Sequence, residues 1–298
     1  MCNSVTDLNK FLIALLLVAA HSNACAAANA IYDALVGPGV KVSPQITLQL
    51  PKPALEDGLA PGQQRQVIES LLAGKYDWDA FTRKSIVSPF LLKISEGAAE
   101  SGPIERKVDL YFVAYGSLDS LKGEDYLNKQ LNLAGTNDQA DEAHRAKTLS
   151  GDELRKRNIG AGTNPSDPRW VAVMSTLLGK VRISLTTQNI KTEGKDSILL
   201  ASVADPRFER DPEYPNSWRS LTVDDSGQRQ VGPAEPYVGL GSYVKGTRLA
   251  EPTGAIFIEY HVAFVEPQGW FHGTNLLRSK LPIVAQDMVR KFRRNLGE

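Results

Sequence analysis

The chain has 298 residues, 42% hydrophobic and 23% charged, which excludes a disordered or fibrous protein and allows a sizeable buried core. Its 34 Lys and Arg balance 34 Asp and Glu, leaving no net basic excess to neutralise phosphates, which argues against a nucleic-acid partner.

Residues 1–30 read as a secretory signal. Phe11 to Ala20 is a short apolar stretch preceded by Lys10 and ended by His21-Ser22-Asn23. Ala28-Asn29-Ala30 then fits the small-x-small cleavage pattern, so Ile31 is the expected first mature residue. A membrane span needs ~20 apolar residues, more than this stretch offers, so the expectation is an exported protein of the periplasm or extracellular space with no span after cleavage. Both cysteines, Cys2 and Cys25, fall inside the signal, so the mature chain is cysteine-free. Cys25 follows Ser22-Asn23-Ala24 and lacks the aliphatic residue three positions upstream that lipoprotein signals carry, which argues against a lipid anchor.

Residues 31–64 form a Pro/Gly-rich N-terminal segment, with Pro38, Pro44, Pro51, Pro53 and Pro61 spaced through it. This is a tether or an irregular wrap, with room for a short edge strand over 42–50. Residues 65–298 read as one α+β domain. Val67, Ile68, Leu71 and Leu72 recur at helical spacing within 63–73, closed by Gly74. Strands are predicted over 90–94 and 108–115, forming a hairpin with a long loop, and a helix over 125–133. Ser150 and Glu153 carry the spacing of a capping box. After Pro168, strands repeat over 170–178, 181–189, 198–204, 218–223, 243–249 and 254–266. The chain ends in a helix whose apolar stripe runs through Leu281, Val284, Ala285, Met288, Val289, Phe292 and Leu296, with Pro282 in its first turn.

This order predicts a curved antiparallel sheet of about eight strands packed on a long C-terminal helix; a β-sandwich with peripheral helices is the alternative. Over 65–296 the element order resembles the helix-grip arrangement of START-like lipid-transfer domains. That resemblance implies a sheet wrapping the last helix around an apolar cavity. The segment 251–294 is also similar to the tail of uncharacterised exported bacterial proteins, which implies no function.

In the strand over 254–266, Ile256, Ile258, Tyr260, Val262 and Phe264 share one face, and Phe257, Glu259 and His261 the other. Glu259 and His261 are catalytic candidates as an acid–base pair, against the alternative of a solvated polar face. Phe257, Trp270 and Phe271 are ligand-binding candidates. The last two, set in Gly269-Trp270-Phe271-His272-Gly273, either gate a pocket or plug the start of the helix. The basic run Arg290-Lys291-Phe292-Arg293-Arg294 either contacts anionic head groups or complements its own helix dipole. His144, His261 and His272 are too scattered for a zinc motif, and no cofactor motif is present, so no metal or cofactor is expected. Three functions follow: an exported binding protein for an apolar small molecule or lipid, a structural or partner-binding protein of the cell envelope, or a hydrolase using Glu259 and His261.

Overall fold

The computed structural model describes residues 29–97, 103–123, 145–162, 164, 167–268, 270–271 and 276–297. Cys2, Cys25, the predicted signal as far as residue 28, the helix predicted over 125–133, His144, Gly269, His272 and Gly273 lie outside these residues.

The N-terminal segment is a wrap. Helix α1 (Ala30–Val36) is capped by Asn29, whose side chain accepts from Tyr32 N at 3.0 Å and donates to Ile190 O at 2.9 Å. One residue thereby closes the helix end and fastens it to the main sheet. A two-stranded antiparallel ribbon follows, β1 (Val40–Lys41) with β2 (Thr47–Leu48). Helix α2 (Pro61–Leu72) opens on proline and ends at Ala73 and Gly74, both at positive φ (49° and 77°). Helix α3 (Trp78–Thr82) is capped by Asp77, which accepts from Ala80 N at 2.6 Å.

The main sheet is antiparallel and, among the described residues, has eleven strands: β3 (Leu91–Glu96), β4 (Ile104–Tyr115), β5 (Arg145–Thr148), β6 (Arg169–Leu177), β7 (Val181–Glu193), β8 (Ser197–Ala204), β9 (Ser217–Val223), β10 (Arg229–Val231), β11 (Glu235–Pro236), β12 (Leu240–Arg248) and β13 (Ala255–Glu266). Its spine runs β3–β4–β13–β12–β8–β7. Along β7 one edge is shared by β8 and β9, and the other takes β6 and then β5. The capping box predicted at Ser150 opens helix α4 (Gly151–Arg155): Ser150 N donates to Glu153 Oε2 at 2.8 Å and Glu153 N to Ser150 Oγ at 3.3 Å.

Helix α5 (Leu276–Gly297) lies on one face of the sheet, over β3 and β4, as the terminal stripe predicts. Ala285, Met288, Val289, Phe292 and Leu296 pack on Leu110, Phe112, Ala114, Ile256 and Ile258, and Phe292 meets Phe112 edge-on at 5.2 Å. The helix begins before the predicted position, so Pro282 sits in its interior rather than its first turn, exposed where it withholds one i→i−4 bond. The opposite face is covered by residues 29–82. Ile68, Leu72 and Phe81 pack on Tyr111, Val113 and Phe257, while Ile31, Leu35, Leu48 and Leu50 pack on Ala201, Tyr243, Ala263 and Val265. The result is three layers around a sheet buried on both faces, in the helix-grip arrangement, with β13 buried along nearly its whole length. Two glycines of β12 allow this closeness: a Cβ at Gly241 would lie 2.7 Å from Leu35 Cδ2, and one at Gly246 2.9 Å from Leu121 Cδ1 on the other face.

Candidate functional site

Strand register brings the predicted acid–base pair together. Tyr243, His261 and Asp109 form one transverse row across β12, β13 and β4, and Lys245, Glu259 and Tyr111 form the next. Cross-strand partners share a face, so these six side chains make one polar and aromatic patch. Glu259 and His261 are both wholly buried, not on a solvated face. The reason lies in residues 51–57, where two prolines prevent a ladder and leave backbone donors and acceptors in search of partners.

The patch supplies those partners. Glu259 accepts from Ala54 N at 2.6 Å and Leu55 N at 3.2 Å; Lys245 Nζ donates to Leu55 O at 2.7 Å; Tyr243 OH donates to Pro51 O at 2.7 Å. Lys245 also pairs with Asp57 at 2.8 Å, and Asp57 accepts from Ser197 Oγ at 2.7 Å. Burial pushes the Glu259 carboxyl above the usual range, against the two backbone donors and the charges of His261 and Lys245. Burial also raises Asp57, but the Lys245 and Ser197 hydrogen bonds outweigh it and hold that carboxyl below its ordinary value. His261 Nδ1 meets Asp109 Oδ1 at 2.7 Å, and its ring stacks on Tyr243 at 4.6 Å and meets Tyr111 edge-on at 5.3 Å. Its Nε2 is buried and has no partner among the described residues. An Asp-oriented imidazole beside a carboxylate has the parts of acid–base chemistry. In this conformation it is sealed, and its polar atoms fasten a strap.

Phe257 lies one row further along this face, buried between Phe81 and Tyr111 at ring distances of 6.4 and 6.2 Å. Trp270 and Phe271 are on the opposite face, buried as a plug. Trp270 packs on Tyr237 at 5.2 Å, on Phe271 at 6.1 Å and on Phe264 and Trp218 at 6.3 Å. Among the described residues, no three His, Cys, Asp or Glu side chains converge to hold a metal ion.

A second candidate lies beneath α5, on residues the periodicity placed in the core. Tyr260 packs against both apolar clusters under the helix, and burial pushes its hydroxyl well above its usual range. Yet it retains accessible surface, as do Ile183, Leu200, Trp218 and Leu240 on the same face. These partly open side chains share the sheet face beneath α5. This face is not wholly apolar. Register aligns Ser242, Ser202 and Asn189 across β12, β8 and β7, on the same face as Tyr260. Ser202 Oγ donates to Asn189 Oδ1 at 2.5 Å, and Asn189 Nδ2 to Thr187 O and Oγ1 at 3.0 Å each. An apolar wall with a few fixed hydrogen-bonding groups is the general make-up of a small-molecule site. The sequence signal for it was the placement of serine and asparagine at inward positions of three separate strands, which only the register unites.

No known protein family matches the chain, and no curated protein matches it in sequence. In layout it resembles START-like helix-grip domains. It is similar to the human StarD13 (DLC2) lipid transfer and protein localization domain, at a TM-score of 0.38 and 9% identity, covering 81% of this chain and 98% of that one. Human STARD10 gives a TM-score of 0.34 at 10% identity, covering 80% and 84%, and an uncharacterised protein from Rhizobium leguminosarum gives 0.33 at 8%, covering 69% and 99%.

Proposed function

We propose that the chain is a binding protein for an apolar small molecule or lipid, held in the hollow between the sheet and α5. The observation that carries this reading is Tyr260, enveloped yet accessible, in an apolar wall beside a hydrogen-bonding stripe. The stripe suits a ligand that is largely hydrocarbon with one uncharged polar end. Native mass spectrometry of the purified protein is expected to show a bound lipid, and a fluorescent fatty acid to be taken up from solution. Leu200→Trp fills the hollow and is expected to cut uptake at least tenfold with the melting temperature kept. A tightly packed core would instead lose ~1–3 kcal/mol from such overpacking. No bound lipid and no uptake, or a Leu200→Trp variant that loses stability in that way, overturns the reading.

We also propose that the chain is exported and that its signal is cut before Asn29. Asn29 caps α1 and bonds Ile190 O, so a cut after Ala30 would remove a residue that the fold uses. Mass spectrometry of the mature protein is expected to give an N-terminus at Asn29 or upstream of it within the signal. A chain retained in the cell from Met1, or one beginning at Ile31, overturns the respective part.

A further inference from the structure

We propose that the protein docks on an anionic lipid bilayer through the groove between residues 83–90 and α5. The groove holds about 420 Å³ and has Phe90, Leu92 and Val289 on its apolar wall, with Lys75 and Arg290 among its lining side chains. Five large apolar side chains are exposed among the described residues; Ile86 and Val87, at 46% and 58%, line the groove from the loop, and Ile283, at 54%, follows its lining residue Pro282 on the helix. On a helix Ile283 lies seven residues, about two turns, before Arg290 and on the same flank.

Their exposure is built in by Arg293. Arg290 is half-buried at the groove and Arg294 exposed, but Arg293 turns into the protein and is only 6% exposed. Its guanidinium donates to Ser88 O at 2.5 Å and Pro89 O at 3.0 Å, and its Nε to Val113 O at 2.8 Å, an edge carbonyl of β4 beyond the end of β3. Holding those loop carbonyls inward leaves Ile86 and Val87 to project outward. Every one of these acceptors is a neutral carbonyl, so the groove's floor keeps an uncompensated positive charge. Burial lowers the group to about 10, which leaves it charged at neutral pH.

The rim has the same sign. Arg83, Arg290 and Arg294 make no ion pair among the described residues, and Lys75 and Lys84 rest only on tyrosine rings, at 5.5 and 5.8 Å. Asp287 is the acidic residue on the helix flank, and the cations outnumber it. Aliphatic side chains ringed by unpaired cations complement a surface of anionic head groups over hydrocarbon. A second copy of the chain is disfavoured as occupant, because pairing two such faces would bring like charges together. The inference does not depend on the hollow under α5 being filled.

The test is co-sedimentation of the purified protein with phosphatidylcholine vesicles, with and without one third phosphatidylglycerol. Binding is expected only to the anionic vesicles and to fall as salt is raised. The double variant Ile86→Asp/Val87→Asp and, on a different element, Ile283→Asp are each expected to weaken binding at least tenfold, and Arg290→Ala about fivefold. All three alter exposed or rim positions, and unchanged near-ultraviolet circular dichroism checks the fold. The same variants are expected to take up soluble fluorescent fatty acid normally, while Leu200→Trp binds vesicles normally, which separates failure of docking from failure of the hollow. Wild-type protein that ignores anionic vesicles, aspartate variants that bind as well as wild type, or a dimer in solution that those variants abolish would each overturn the proposal.

Discussion

On the face covered by residues 29–82, the centre of the sheet presents Asp109, Lys245, Glu259 and His261; on the face covered by α5, it presents Tyr260, Leu200 and Val244 with Ser242 and Ser202. The charged face is the tightly closed one. Nearly every polar atom there has a named partner, because an irregular, proline-broken segment brings exactly the unpaired backbone groups that charged side chains can satisfy. The apolar face is covered by a regular helix that contacts β3 and β4 and spans only part of the sheet's width, leaving Tyr260 and Leu200 partly open. Charge on a strand is therefore a poor guide to exposure when the covering layer has no secondary structure of its own.

The largest effect that would test this contrast comes from Glu259→Ala. It leaves Ala54 N and Leu55 N without their acceptor inside the protein and removes a carboxylate facing Lys245, and a loss of about 3–5 kcal/mol in urea unfolding is expected, with faster proteolysis near residues 51–57. A loss below ~1 kcal/mol would mean that the strap is held by its apolar contacts alone.

Glu259→Gln gives a smaller and pH-dependent difference. Because burial raises the folded carboxyl above its unfolded value, the acid's favourable contribution is complete below the unfolded value and is lost as pH rises through the folded one. The stability of wild type relative to Glu259→Gln is thus expected to be highest in acid and to decline toward neutral pH. A difference that grows with pH would show that Lys245 and the two amides win over desolvation and that the carboxyl is held low instead.

The features legible in the sequence were those written in short periods. The stripe on α5, the two faces of β13 and the Ser150 box each repeat within a turn or two and need no distant partner. The cover over Glu259 was not legible, since Pro51-Lys52-Pro53-Ala54-Leu55 has no period and its only signature is the lack of a ladder. Arg293 lay hidden among like residues. Its spacing of four from Val289 placed it at the margin of the apolar stripe, whereas composition alone made it equivalent to Arg290 and Arg294. The polar stripe under α5 was invisible for a third reason: Ser242, Ser202 and Asn189 come from three strands far apart along the chain, and only their register makes them neighbours.

The smallest expected change is also the most discriminating between the two faces. Tyr260→Phe removes a hydroxyl on the same face as Ser242 but leaves the ring in place. Were Tyr260 an ordinary core residue, a group bonding that hydroxyl would lose a partner in a dry interior, at about 1–3 kcal/mol of stability. Facing the proposed hollow, such a group can turn to water, so a change below ~1 kcal/mol is expected in unfolding. The loss should fall on the ligand instead. A polar end held by Tyr260 and Ser242 would bind roughly 2- to 10-fold more weakly, while a plain hydrocarbon probe would bind unchanged. Equal losses for polar and hydrocarbon probes would place the ligand's head elsewhere, and a loss confined to stability would mean that this side of the sheet is as solid as the other.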